Sequence, residues 1–256
     1  MKHEYISYSS QTFHQKPITI DNPEATCPFC DRDNLMHTNE VVDYDETKLL
    51  IKNKYPVLEK ADAFVFVEQP TCEHDLTNYS LPVLVDVLRY GMTKWLDMKN
   101  SGKYESVLFF KNHGPLSGGS IYHPHMQLIG LYDHSPEQNL SFDDTHSITI
   151  YREKEFSWSL SSQPFSERYE FTIRMSDMKK LATFAQAIQH TTHYIIHHLN
   201  ATYKSFNLCF YHIQNEIIVK IFERKPTSAL LLGYRLSQVP NNLNEVALEI
   251  KSLYKL

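Results

Sequence analysis

Apolar and polar positions alternate with a period of two over residues 40–45 and 48–52, which predicts a hairpin that Asn53-Lys54-Tyr55-Pro56 brings to an end. Residues 63–68, AFVFVE, predict a further strand. The period then changes. Apolar residues at 84, 85, 88, 92, 95 and 96 lie on one helical face, and the pattern stops at Asn100-Ser101-Gly102, so 81–98 predict a helix. Strand spacing returns over 104–110 and, after a glycine-containing loop, over 121–131. A polar, turn-rich stretch at 133–144 separates this from a second round. That round has strands over 147–151, 155–160 and 169–175, a helix over 176–199 with Ser176 at its N-cap, and strands over 207–212 and 216–222. Strand, strand, helix, strand, strand thus occurs twice, which predicts duplication of one α+β unit, with the first at 1–140 and the second at 141–256. Ahead of both, residues 1–26 are polar and carry Pro17 and Pro23, so an extended arm is expected there.

Composition narrows the classes of function. At 256 residues and 42% hydrophobic the chain can bury one large core or two modest ones without covalent staples. A net charge of −5 argues against a general nucleic-acid or membrane-surface binder, for which a basic excess is expected, so any bound anion is held locally. The N-terminus has no apolar run and no window approaches a membrane span, which reads as a cytoplasmic protein. Four cysteines do not suggest a disulfide framework, but Cys27 and Cys30 are spaced for metal.

The chemistry gathers in residues 111–130, KNHGPLSGGSIYHPHMQLIG. Gly114, Gly118 and Gly119 form a loop ending at Ser120, where consecutive backbone N–H groups suit a phosphate. In the strand that follows, His123, His125 and Gln127 alternate onto one face. Pro124 cannot donate to a ladder and predicts an edge or a bulge there. Lys54 and Lys111 are the nearest candidates for charge neutralisation, or else solvated surface lysines; His113 is expected to be a polar loop residue.

Asn112, the glycine loop, Ser120 and His123-Pro124-His125-x-Gln127 resemble the active-site signature of galactose-1-phosphate uridylyltransferases, the nucleotidyltransferase branch of the histidine triad superfamily. The resemblance runs from about Thr26 to Gly130 and is architectural beyond. It implies two histidine-triad-like units, each an antiparallel sheet with a covering helix, and assembly as a homodimer. It also implies transfer of UMP between hexose 1-phosphates by double displacement, with a nucleoside diphosphate sugar and a sugar 1-phosphate as partners. His125 would be the nucleophile, Gln127 and Ser120 catalytic donors, and Asn53, Tyr55, Asn112, Gly118, Gly119 and Gln127 substrate contacts. A structural Zn2+ would be held by Cys27, Cys30, His123 and His74; Cys72, two residues before His74, is an alternative to it. The chain departs from the family in two places. Glu216 to Lys220 stand where a His-x-His pair is common, and Gln15-Lys16-Pro17 replaces an arginine-proline signature. Two rival functions follow: a related nucleotide-sugar or dinucleoside polyphosphate phosphorylase or hydrolase, and a nucleotide-binding protein without turnover. His190, His193, His197 and His198 lack an accompanying HExxH motif and are expected to be a solvated or partly buried helix face.

Overall fold

The computed structural model describes residues 5–22, 26–143, 145–166, 168–199 and 202–256; the expected break at Pro23 lies outside them. The chain divides into two units, Met1–Asp75 with Asp86–Ser141 and Leu76–Val85 with Phe142–Leu256.

The first unit opens with two short helices, α1 (Ser10–His14), inside the stretch expected to be an extended arm, and α2 (Arg32–Thr38), just after Cys30. Both follow an N-cap side chain, Ser9 and Asp31; the Asp31 carboxylate accepts from the Asn34 N–H at 3.1 Å. Strands β1 (Val41–Tyr44), β2 (Leu49–Lys52) and β3 (Ala61–Val67) come next, then helix α3 (Leu81–Asn100) and strands β4 (Ser106–His113) and β5 (His125–Leu131). All pairings are antiparallel, in the order β1-β2-β3-β5-β4. Because β3 and β4 flank β5 on either side, they run parallel to each other and need a crossover, which α3 provides. Its buried residues Leu84, Val87, Leu88, Met92 and Trp95 recur at helical spacing. At Gly91 a Cβ would stand 2.6 Å from the Phe109 ring, so the helix sits this close to the sheet only because position 91 has no side chain. Alternation turns Val65 and Val67 to the opposite face, where they join Leu35, Leu49 and Ile51, with Phe29 and Met36 packed against the cluster.

One edge of this unit carries a polar anchor. Asp62 accepts from Lys103 Nζ at 2.6 Å and from the Tyr104 and Tyr132 hydroxyls at 2.8 Å. Desolvation works to raise its pKa, but these bonds outweigh it and hold the carboxyl down at about 2 from an ordinary 3.8. A depressed folded-state value stabilises above the unfolded value and is lost as pH falls through the folded one. Asp62→Asn is therefore expected to cost about 1 kcal/mol near neutral pH, a figure discounted for partial exposure. The gap between wild type and variant should close between pH 4 and 2, as read by urea unfolding at a series of pH values.

The second unit repeats the strand order. Strands β6 (Ile148–Glu153), β7 (Phe156–Leu160), β8 (Glu170–Met175), β9 (Phe206–Ile213) and β10 (Glu216–Glu223) lie as β6-β7-β8-β10-β9, all antiparallel. Helix α4 (Leu181–Tyr194) links β8 to β9. Its start departs from expectation: Asp177, not Ser176, caps a 3-10 turn by accepting from the Lys179 N–H at 2.8 Å. Its end is a π-helical turn, Ile195–Leu199. Two C-terminal helices follow, α5 (Ala229–Tyr234) and α6 (Leu243–Tyr254). The α4 histidines help seat α6: His190 stacks on Tyr254 at 4.0 Å and His193 Nδ1 lies 3.0 Å from the Tyr254 hydroxyl. Antiparallel five-stranded order with a crossover helix in each unit makes the fold α+β, as the periodicity predicts. Among the described residues no helix is long and apolar enough to cross a membrane.

Candidate functional site

β5 is an interior strand, so of the edge or bulge that Pro124 predicts, the edge is not what is found. It starts at His125, four residues later than expected, so Pro124 lies just outside the ladder and its missing N–H costs no pairing. Its carbonyl accepts from the Glu68 N–H at 3.2 Å. His123 therefore lies just before the strand rather than within it. The two imidazoles turn to different tasks.

His123 is 1% exposed and faces sulfur. Its Nδ1 lies 3.3 Å from Cys27 Sγ, 3.4 Å from Cys30 Sγ and 3.1 Å from Cys72 Sγ, and Cys30 Sγ is 3.5 Å from Cys72 Sγ. The four ligand atoms all lie within 4.8 Å of one another. Tetrahedral zinc with sulfur at about 2.3 Å would set its ligand atoms roughly 3.7 Å apart, which is close to these separations. The His123 Nε2–H donates to the Gln69 carbonyl at 2.8 Å, which leaves the Nδ1 lone pair toward the thiols. Burial and then the Cys30 and Cys27 thiols push the Cys72 thiol pKa up, so Cys72 resists carrying charge without a cation beside it. This Cys3His group is a potential metal site. It corrects the expected ligand set, because His74 is exposed and outside the group while Cys72 occupies the fourth position.

His125 is 7% exposed, and its Nδ1–H donates to the His123 carbonyl at 2.7 Å, so Nε2 is the nitrogen with a lone pair. Burial lowers its pKa to about 4, against the hydrogen bond to His123. The Phe29 ring, from the Cys27–Cys30 knuckle, stands edge-on to both imidazoles, at 5.8 Å from His123 and 5.5 Å from His125. Metal group and imidazole thus share one aromatic wall.

His125 and Gln127 line a cavity of about 630 Å³, within the range of small-molecule sites. Gly118, Gly119, Ser120, Asn53 and Tyr55 also line it. Asn112 does not; it backs the glycine loop, where a Cβ on Gly119 would meet Asn112 Cβ at 3.1 Å. The loop turns through Gly118 at φ 84°, a left-handed conformation that glycine adopts freely. One expected anion donor is already engaged, since the Gly119 N–H donates to Ser117 Oγ at 3.2 Å. Asn53 Oδ1 accepts from the Tyr55 N–H at 2.9 Å, fixing an Asx turn at the cavity rim. The N-terminal arm closes another side: the Thr19 and Ile20 N–H groups donate to the Ser120 carbonyl at 2.7 and 3.1 Å.

The candidate cations sort out differently from expectation. Lys54 lines the cavity, but Lys111 is 1% exposed, paired with Glu68, and absent from the lining. It is neither a phosphate contact nor a surface lysine. Lys16 of the arm lines the cavity instead, half-buried, with its pKa lowered by desolvation. Its position after Gln15 and before Pro17 is the only sequence signal that points to it. His113 is no loop residue; it ends β4, 3.7 Å from Asp75, and burial lowers its pKa to about 4.

No curated protein matches the chain. A crystal structure of a DUF4931 family protein from Bacillus cereus ATCC 10987 is 28% identical, with a TM-score of 0.77 over 85% of this chain and 100% of that one. A solved uridylyltransferase is 18% identical, with a TM-score of 0.70 over 91% and 93% of the two chains. An ADP-glucose phosphorylase from Arabidopsis thaliana, solved with bound ADP-glucose, is 15% identical, with a TM-score of 0.69 over 94% of each. The chain therefore shares its fold with both of these solved enzymes. Models of the N-terminal and C-terminal domains of DUF4931, a domain of unknown function, match residues 8–134 and 137–255, and the chain belongs to the DUF4931 family.

Proposed function

We propose that the protein transfers a nucleoside monophosphate from a nucleoside diphosphate sugar, through a covalent nucleotidyl-histidine at His125. The observation that carries this reading is the tautomer of His125: with Nδ1–H on the His123 carbonyl, Nε2 is the nucleophilic nitrogen of a histidine lining a nucleotide-sized cavity. The Nε2 lone pair attacks the α-phosphorus, the bond from that phosphorus to the bridging oxygen breaks, and sugar 1-phosphate leaves with the electron pair. The imidazole gains positive charge on attack, and the His123 carbonyl stabilises it by accepting from Nδ1–H. An acceptor oxygen then attacks the same phosphorus and the P–N bond breaks, returning neutral His125. Gln127 and Ser120 donate to the phosphoryl oxygens as charge builds there. Asn53 and Tyr55 hold the ribose and base end, and Asn112 supports the glycine loop from behind. Of the solved enzymes named above, one is a uridylyltransferase and the other is an ADP-glucose phosphorylase with ADP-glucose bound, which supports this reading.

A Zn2+ ion on Cys27, Cys30, Cys72 and His123 would serve as a structural clamp. With four protein ligands it has no open position for substrate. Its role is to tie the knuckle to the residue whose carbonyl orients His125.

Lys16 supplies the positive charge that neutralises the donor phosphates. Lys16→Ala is expected to raise the half-saturating donor concentration about tenfold, equivalent to ~1.4 kcal/mol, with a smaller change in the limiting rate. Steady-state kinetics over a range of donor concentrations checks this. The identity of the acceptor is tested by competition. Hexose 1-phosphate and inorganic phosphate are offered to protein loaded with donor, and the product is identified as a nucleoside diphosphate sugar or a nucleoside diphosphate. Transfer to the hexose 1-phosphate supports UMP-type exchange between sugars; transfer to phosphate assigns a phosphorylase.

A further inference from the structure

Behind β5 lies an ion pair that this mechanism does not use. Lys111 on β4 is 1% exposed and the Glu68 side chain, just past the end of β3, is fully buried; the ammonium bonds to the carboxylate Oε1. Lys111 Nζ also donates to the His125 carbonyl at 3.2 Å. On the other side of the histidine, the Glu68 backbone N–H donates to the Pro124 carbonyl at 3.2 Å. The two peptide carbonyls that flank His125 are thus each held by one member of the pair, and the ring is held by the His123 carbonyl.

A buried ion pair is costly to desolvate and is often replaceable by apolar side chains without loss of stability. Stability alone therefore does not account for one here. The second unit contains a similar buried pair, Lys220 on β10 with Glu170 at the start of β8. There β10 has no histidine, and Lys220 lies instead beside Thr172 and 4.0 Å from the Phe165 ring centroid. The comparison separates a pair that fills a core from one that is bonded to the backbone of the candidate nucleophile.

We infer that Lys111 and Glu68 are positioning residues for His125, clamping the backbone on both sides of it so that Nε2 is held in line with the scissile phosphorus. This inference rests on the proposed nucleotidyl transfer. Misplacement of a reacting group by about 1 Å costs on the order of 100-fold in rate. Release of the clamp should therefore act on the chemical step and leave donor binding alone.

The test is a double variant, Lys111→Met with Glu68→Gln, which removes both charges together and leaves no buried charge unpaired. Lys220→Met with Glu170→Gln is the matched control in the second unit. Each is measured for melting temperature, for the single-turnover rate of nucleotidyl adduct formation over a range of donor concentrations, and for amide hydrogen exchange across residues 123–127. The expected result is a 10- to 100-fold slower adduct rate with unchanged half-saturation in the first variant, faster exchange at 123–127, and no rate change in the control. If the first variant forms adduct at the wild-type rate, or if both variants slow equally in step with a lowered melting temperature, the pair is structural only and the inference is overturned. Should wild type form no adduct, the proposed transfer has failed, and hydrogen exchange judges the clamp by itself: faster exchange confined to 123–127 supports it, and unchanged exchange overturns it.

Discussion

Replacing His125 with alanine is expected to abolish the covalent nucleotidyl adduct and lower the turnover rate by at least about 10⁴-fold, the scale of loss on removing a nucleophile or its base. The loss should fall on the limiting rate. His125 is 7% exposed, so alanine removes a nearly buried ring and leaves space beside Phe29, but the residues assigned to the ribose and phosphate ends of the donor, Asn53, Tyr55 and Lys16, are untouched. Donor affinity, measured by calorimetry on the variant, is therefore expected to stay within about tenfold of wild type. His125→Ala that still turned over at a substantial fraction of the wild-type rate would assign the chemistry to another group. His113 is the neighbouring alternative, a partly buried imidazole at the end of β4 whose pKa desolvation lowers to about 4, but it is absent from the cavity lining.

The second large effect concerns the metal. Purified protein is expected to contain one zinc per chain, and Cys72→Ala to contain almost none, whereas His74→Ala keeps it. Structural zinc contributes roughly 10–16 kcal/mol in small domains, so loss of one ligand should cost the first unit at least about 3 kcal/mol. The damage is expected to spread to activity, since the group anchors His123, and the His123 carbonyl orients His125. Elemental analysis together with thermal unfolding of both variants decides the point. Zinc retained in Cys72→Ala and lost in His74→Ala would restore the ligand set that the sequence resemblance implies and contradict the sulfur geometry.

Much of this was legible in the letters. The central strands and both crossover helices follow from their periods, because each buries one face against its own sheet. The helix Arg32–Thr38 is harder to read: it has one buried residue, Leu35, in two turns, and only Asp31 at the N-cap marks it. The C-terminal helix is legible too, since Leu243, Val246, Ala247 and Ile250 keep helical spacing. At the site, local sequence identifies His125, Gln127 and the glycine loop, which are contiguous. It cannot choose between Cys72 and His74, because two residues in one loop differ only in which of them meets His123 across 51 residues of chain. It misreads Lys111 for the same reason, because burial of a lysine depends on Glu68, 43 residues earlier. His123 was misplaced by treating Pro124 as part of a strand that begins one residue later.

The central claim is the nucleotidyl-histidine, and intact-protein mass spectrometry tests it most directly. Metal-loaded wild type is mixed with UDP-glucose and, separately, with ADP-glucose, quenched at a series of short times, and weighed beside His125→Ala. The account predicts a gain of one nucleoside monophosphate with at least one donor, in wild type only, that disappears when the right acceptor is added. The donor that labels the protein names the base. An unchanged mass at every time with both donors, in folded protein shown to bind them, would contradict the account and leave a nucleotide-binding protein that performs no covalent transfer.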